Sequence, residues 1–194
     1  MRLAHSDPSN QELLTTVRNY ADHAHGEQTR KYTPERYIVH PVRVMNLVRG
    51  INKDNCVLAA ALLHDVLEDT AITENQLSQF LSTLFNPADA VRTLGYVVEL
   101  TDVYTKESYP QFNRRTRKEK ELTRLRQISP ESQLIKYADI VDNAQQIAMH
   151  DSNFAGVLLQ EYRDLLLQLD KGAPSLRQKA LAVINAEIKQ LRGE

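Results

Sequence analysis

His64 and Asp65 stand side by side at the end of an almost wholly apolar run, and Glu68 and Asp69 follow immediately. A carboxylate and an imidazole in such a setting are costly unless they are paired or bound to a metal. Glu68 falls four residues after His64 and three after Asp65, so helical spacing gathers all three within one turn. Carboxylates crowded at a helix end repel one another unless a cation neutralises them. A divalent metal is the economical answer, and mixed imidazole and carboxylate ligation suits manganese, iron or zinc better than calcium or magnesium. A lone histidine here would more often be a core residue bonded to a carbonyl. The combination His-Asp-x-x-Glu-Asp instead offers two ligand types with two further acids placed for proton transfer.

A complete site needs ligands from elsewhere in the chain. His40, within Tyr-Ile-Val-His-Pro, also lies in an apolar stretch, and Asp139 interrupts the apolar face of Leu-Ile-Lys-Tyr-Ala-Asp-Ile-Val-Asp-Asn. The simpler role for an acid there is a pair with Lys136 or a cap on a neighbour, which suits Asp142 better than Asp139. His5, His23, His25 and His150 lie in polar or terminal stretches and are expected at the surface. Cys56, the only cysteine, is expected as a buried structural thiol without a catalytic role.

The elements that must position these residues read as helices throughout. Glycine and proline number only 6 and 7, and apolar residues recur mostly at helical spacing, which predicts an all-α bundle. Helices are expected over residues 11 to about 25, from Pro34 to Gly50, and from Asp54 to about Leu67, the last apolar nearly all round and hence central. A short helix capped by Thr73 and another starting at Asn86-Pro87 follow, then a polar, Tyr-rich connection over 101–111 that is placed to cover a site. Further helices are expected over 114–126, from Pro130 to about His150, and over 154–170 and 174–191. At 194 residues the chain is expected to form one domain over 1–194.

Lys and Arg total 24 against 25 Asp and Glu, a balance that gives no electrostatic reason to expect a nucleic-acid polymer as partner. No segment reads as a signal peptide or approaches the roughly 20 apolar residues of a membrane span, so the expected location is the cytoplasm. A homo-oligomer stays open.

The ordered set of His40 in its Tyr-Ile-Val-His-Pro context, Leu-Leu-His-Asp-Val-Leu-Glu-Asp-Thr at 62–70 and Ile-Lys-Tyr-Ala-Asp-Ile-Val-Asp-Asn at 135–143 resembles the HD-domain phosphohydrolase superfamily. Within it the chain looks most like the small alarmone hydrolases and the (p)ppGpp hydrolase domain of RelA/SpoT-type enzymes. The likeness runs from about residue 24 to 155, leaving the closing helices at about 154–192 outside it. It implies a helical bundle holding one manganese ion through His40, His64, Asp65 and Asp139, with Glu68 and Asp69 directing the attacking water. Arg30 and Lys31 match the family's basic pair near the nucleotide, and Asn143 its asparagine on the ribose side. The implied reaction is metal-dependent release of pyrophosphate from the ribose 3′-position of (p)ppGpp, a small-molecule nucleotide.

Two departures bear on base selectivity. Thr33-Pro34-Glu35-Arg36 replaces the Gly-Glu-Pro or Gly-Thr-Pro of many relatives, and Gln146 stands where several carry threonine. The basic run Arg114, Arg115, Arg117 and Lys118 can face phosphates or form a solvated helix face. The alternatives are an HD-type phosphohydrolase of another nucleotide, such as a deoxynucleotide or the 2′-phosphate of NADPH, and a non-catalytic nucleotide-binding regulatory module.

Overall fold

Cys56 through Leu63 are buried on every side, and this run forms the helix around which the chain is built. The computed structural model describes residues 8–31, 33–150 and 152–193. Among the described residues it forms ten helices and no strand, in agreement with the all-α expectation. They are α1 (Pro8–His25), α2 (Val39–Arg49), α3 (Asn55–Leu63), α4 (Val66–Asp69), α5 (Glu74–Ser82), α6 (Pro87–Leu100), α7 (Arg114–Leu125), α8 (Pro130–His150), α9 (Ser152–Gln168) and α10 (Pro174–Arg192).

The central helix α3 packs against α1, α2, α6 and α8, and α8 in turn packs on α2, α9 and α10. A helix without a polar face has to be surrounded in this way. Asp54 caps α3 by accepting the Cys56 N–H at 2.8 Å. Thr73 and Gln76 form a capping box at α5, and Asn86 and Asn113 cap α6 and α7. Each cap satisfies backbone donors that a helix start leaves without partners. Cys56 is buried as expected.

Two expected helix boundaries are corrected, and both corrections shape the site. Pro34 does not start the second helix. The chain instead folds back through an antiparallel bridge between Thr29 and Arg36, with Arg30 N–H donating to the Glu35 carbonyl and Tyr37 N–H to that of Gln28, each at 2.9 Å. Helix α2 therefore begins at Val39, and the turn brings Arg30 and Tyr37 together.

The helix expected to continue to about Leu67 ends at Leu63. Asp65 takes φ −99 and ψ −5, close to the bridge region where residue i+2 of a turn and many active-site residues sit. Its carbonyl accepts from Asp69 N–H at 2.8 Å, which opens the short helix α4. His64 and Asp65 thus lie in the joint between α3 and α4 rather than within one continuous helix.

The 101–113 connection is held by a buried acid. Glu121 Oε2 accepts the N–H groups of Val103 and Tyr104 at 3.1 and 3.0 Å, and Arg124 pairs with the other oxygen. In the first half of α8, the Tyr137 hydroxyl donates to the Leu169 carbonyl at 2.7 Å, tying the turn before α10 to the core.

Candidate metal centre

Three separate segments bring His40, His64, Asp65 and Asp139 together: α2 carries His40, the α3–α4 joint His64 and Asp65, and α8 Asp139. His40, His64 and Asp65 offer donor atoms that all lie within 4.8 Å of one another. Asp139 Oδ1 lies 3.2 Å from His40 Nε2 and 3.8 Å from His64 Nε2.

Each imidazole has its Nδ1 fixed elsewhere. His64 Nδ1 meets the Ala61 carbonyl at 2.9 Å, and His40 Nδ1 meets Asp142 Oδ2 at 2.7 Å. Those acceptors require a proton on Nδ1, which turns both Nε2 atoms toward the carboxylates of Asp65 and Asp139. His64 Nε2 is buried without a hydrogen-bond partner. Two imidazole lone pairs facing two carboxylates repel unless a proton or a cation lies among them. Without a metal the proton takes that part: burial opposes a charged His40, but Asp139 and Asp142 raise it to about 9. The four residues, with an orphaned nitrogen at their centre, fit a divalent cation.

Asp142 belongs to this arrangement, contrary to its expected role as a simple helix-face partner. It lies one turn after Asp139 and is buried, and besides His40 it accepts from Arg43 Nε at 2.6 Å. Burial would raise its carboxyl, but His40 and Arg43 hold it below the ordinary carboxylate range. Asp139 behaves alike. Burial works against its charge, and Lys136 with the two imidazoles keeps it well below the usual value. The pair with Lys136 foreseen as Asp139's simpler role is present, at 3.0 Å, alongside the imidazole contacts.

Tyr37 is a further site residue. Its hydroxyl lies 2.7 Å from Asp65 Oδ2 and 2.9 Å from Asp69 Oδ2, so it bridges a ligand candidate and one of the two extra acids. Burial and the two carboxylates keep the phenol protonated. His25 stacks on this ring with centroids 4.3 Å apart and is buried, which corrects its expected surface position. His23 is exposed as expected. His5 lies outside the described residues, and so does the side chain of His150.

Glu68 and Asp69 open into a cavity of about 760 Å³ whose wall also includes Asp65, Asp102, Lys136, Asp139, Asn143 and Tyr162. Glu68 Oε2 accepts the Asp102 N–H at 3.2 Å. Although solvent reaches it through the cavity, crowding by the wall, then the charge of Asp102, pushes its carboxyl up to about 7. Burial and Asp65 also raise Asp69. A carboxyl that titrates near neutrality is suited to exchanging a proton with a reacting group.

Arg30 and Asn143 come together beside the cluster. Arg30 donates from Nε to Gln146 Oε1 at 3.0 Å and from Nη2 to Asn143 Oδ1 at 2.7 Å, with its guanidinium over the Tyr37 ring. Asn143 Nδ2 donates onward to Asp139 Oδ1 at 2.6 Å, so the amide joins Arg30 to the cluster. Lys31 lies over the Phe154 ring. These residues, with Gln146 and Tyr162, line a second cavity of about 370 Å³. Of the basic run, Arg114, Arg115 and Lys118 border the larger cavity, paired with Glu161, Glu119 and Asp102 respectively.

An all-helical bundle that sets adjacent His-Asp at a helix end against a histidine and an aspartate from two other helices defines a scaffold of the HD type. The chain matches the HD domain family over residues 18–167 and belongs to it. Among curated relatives, it is 39% identical over 72 residues to a guanosine-3′,5′-bis(diphosphate) 3′-pyrophosphohydrolase of Aquifex aeolicus, covering 37% of this chain and 10% of the relative. It is 28% identical over 141 residues to a probable enzyme of the same name from Mycoplasma pneumoniae, covering 70% and 18%. The chain thus spans less than a fifth of the length of these relatives. A solved structure of a metazoan ortholog of SpoT, described as hydrolysing ppGpp, superposes with a TM-score of 0.72 at 25% identity, covering 98% of this chain and 99% of that one.

Proposed function

We propose that this chain is a manganese-dependent 3′-pyrophosphohydrolase that converts (p)ppGpp to GDP or GTP and pyrophosphate. The observation that carries the reading is the buried His40, His64, Asp65 and Asp139 cluster, with His64 Nε2 lacking a partner, beside two accessible acids. The end-to-end likeness to a ppGpp-hydrolysing protein supports the substrate.

In this reading the four residues hold the ion. When bound, a divalent cation supplies Lewis acidity, making water a better nucleophile and offsetting charge on phosphoryl oxygens. Glu68 takes a proton from the attacking water. Asp69, held by Tyr37, orients that water from the side of Asp65. The water oxygen bonds to the phosphorus carried by the ribose 3′-oxygen, the P–O3′ bond breaks, and a proton returns to O3′. Arg30, Lys31 and Asn143 form the nucleotide side, Arg30 being held in place by Gln146 and Asn143. The chain works as one domain over 1–194, in the cytoplasm, on a small nucleotide. No helix among the described residues is long and apolar enough to cross a membrane.

The test is a panel of ppGpp, deoxynucleoside triphosphates and NADPH incubated with the protein and manganese, with products identified by mass. Preferential formation of GDP and pyrophosphate from ppGpp is expected. Turnover of only deoxynucleotides or NADPH would move the reading to another phosphate ester, and binding without turnover would mark a regulatory module.

A further inference from the structure

The wall around Glu68 is rich in acids, yet a phosphorylated substrate has to enter it. Asp65, Glu68, Asp69, Asp102, Glu119, Glu121, Asp139, Glu161 and Asp164 all border the cavity. Most of its cations are committed to this acid. Arg114 Nη2 lies 2.7 Å from Glu161, Arg115 Nε 2.9 Å from Glu119, and Lys118 Nζ 3.6 Å from Asp102. They neutralise carboxylates and leave the electrostatic cost of a pyrophosphate group largely in place.

Lys136 differs from them in position. It rises from α8 one turn before Asp139, and its ammonium lies 3.0 Å from Asp139 Oδ2 while Oδ1 faces the two imidazoles and Asn143. The two oxygens of Asp139 are thereby divided, one toward the cluster and one toward the cation. Among the described residues Asp139 is the only carboxylate within 4.0 Å of Lys136. An ammonium carries three hydrogens and a single oxygen cannot use them all. The Lys136 side chain is 20% exposed and lines the cavity with Glu68, Asp102 and Tyr162, so its remaining donors border the space next to the cluster.

We propose that Lys136 is a catalytic residue that binds the pyrophosphoryl group directly, its ammonium donating to phosphoryl oxygens beside the metal ligands while Asp139 Oδ2 holds it there. This deepens the proposed hydrolase reading and rests on it. The chemistry recognised is a phosphate dianion, and the neighbouring acids sharpen its selectivity, because an anion in this cavity that reaches neither the metal centre nor Lys136 meets mostly carboxylates and cations already paired with them.

The test titrates orthophosphate into manganese-loaded protein and follows the bound manganese by its paramagnetic resonance spectrum, for the wild type, Lys136→Gln and Lys136→Arg. A charge-assisted hydrogen bond predicts phosphate affinity weaker by about tenfold to a hundredfold in Lys136→Gln. Manganese affinity in Lys136→Gln should stay within about threefold of wild type, and Lys136→Arg should recover part of the phosphate binding. Unchanged phosphate affinity in Lys136→Gln overturns the proposal. So does a loss of manganese affinity as large as the loss of phosphate affinity, which would make Lys136 a prop for Asp139. Wild-type protein that leaves ppGpp intact but shows the Lys136-dependent phosphate affinity overturns the substrate and supports the role of this cation.

Discussion

His40 and His64 are oriented alike by different partners, one through a carboxylate and the other through a backbone carbonyl. Both present Nε2 to the cluster, which is the part of the site that adjacent residue types made legible. Asp142 was less legible, since an acid on a polar-looking helix turn is usually solvated. Its spacing of three from Asp139 was the available signal, because both then fall on one face of α8. Tyr37 was indistinguishable from a core aromatic until Asp65 and Asp69 were seen around its hydroxyl. At this scale Asp65→Ala is expected to abolish manganese binding and turnover, measured together by metal titration and product release. Glu68→Gln should retain the ion and lose about 10²- to 10⁴-fold in turnover, the usual worth of a positioned acid or base. Glu68 also sets a pH dependence in the metal-free protein. Its folded carboxyl is raised to about 7, so its contribution to stability is full below the ordinary carboxylate range. As pH rises toward 7 the unfolded chain gives up this proton first, and the contribution is lost. Urea unfolding at pH 5 and pH 8 should therefore show Glu68→Gln gaining stability relative to wild type at the higher pH, by less than a sealed carboxyl would give because solvent reaches the side chain.

The joint between α3 and α4 could not be read from periodicity, because neither glycine nor proline marks it and the apolar pattern continues through Val66 and Leu67. The break comes from Asp65, whose conformation places its side chain beside His40 and His64 while its carbonyl starts α4. Pro34 misled in the opposite sense. A proline suited to a helical first turn sits in a bend, because the backbone pairing of 28–30 with 35–37 draws the chain back. The caps at Thr73 and Asn86 and the Pro130 start were legible, since their side-chain chemistry is local. The turn before α10 provides a test of packing remote from the chemistry. A Cβ on Gly172 would lie 2.6 Å from the Tyr137 ring and 3.0 Å from the backbone nitrogen of Leu134. Tyr137 is fully buried and bonded to Leu169, so it cannot swing aside freely. Gly172→Ala is expected to cost about 1–3 kcal/mol in chemical unfolding, with manganese affinity unchanged.

Over the whole molecule, the cluster joins α2, the α3–α4 joint and α8, segments far apart in sequence but packed in one core. A cation that binds only when these segments are in place must stabilise the fold. Manganese at a hundredfold excess over its dissociation constant should add about 2.7 kcal/mol to unfolding free energy, seen as a raised Tm, and none in Asp65→Ala. The all-helical architecture was legible from composition and spacing, whereas the cavity and its nine-acid wall depend on how α7 and α9 meet α8, which no local pattern encodes. The most direct measurement is mass identification of the products when wild type and Asp65→Ala are each given ppGpp and manganese in ¹⁸O-labelled water. Wild type is expected to yield unlabelled GDP and pyrophosphate carrying one labelled oxygen, with no products from the variant. Intact ppGpp with wild type, or the same products from Asp65→Ala, would show that this cluster is not the site of the proposed hydrolysis.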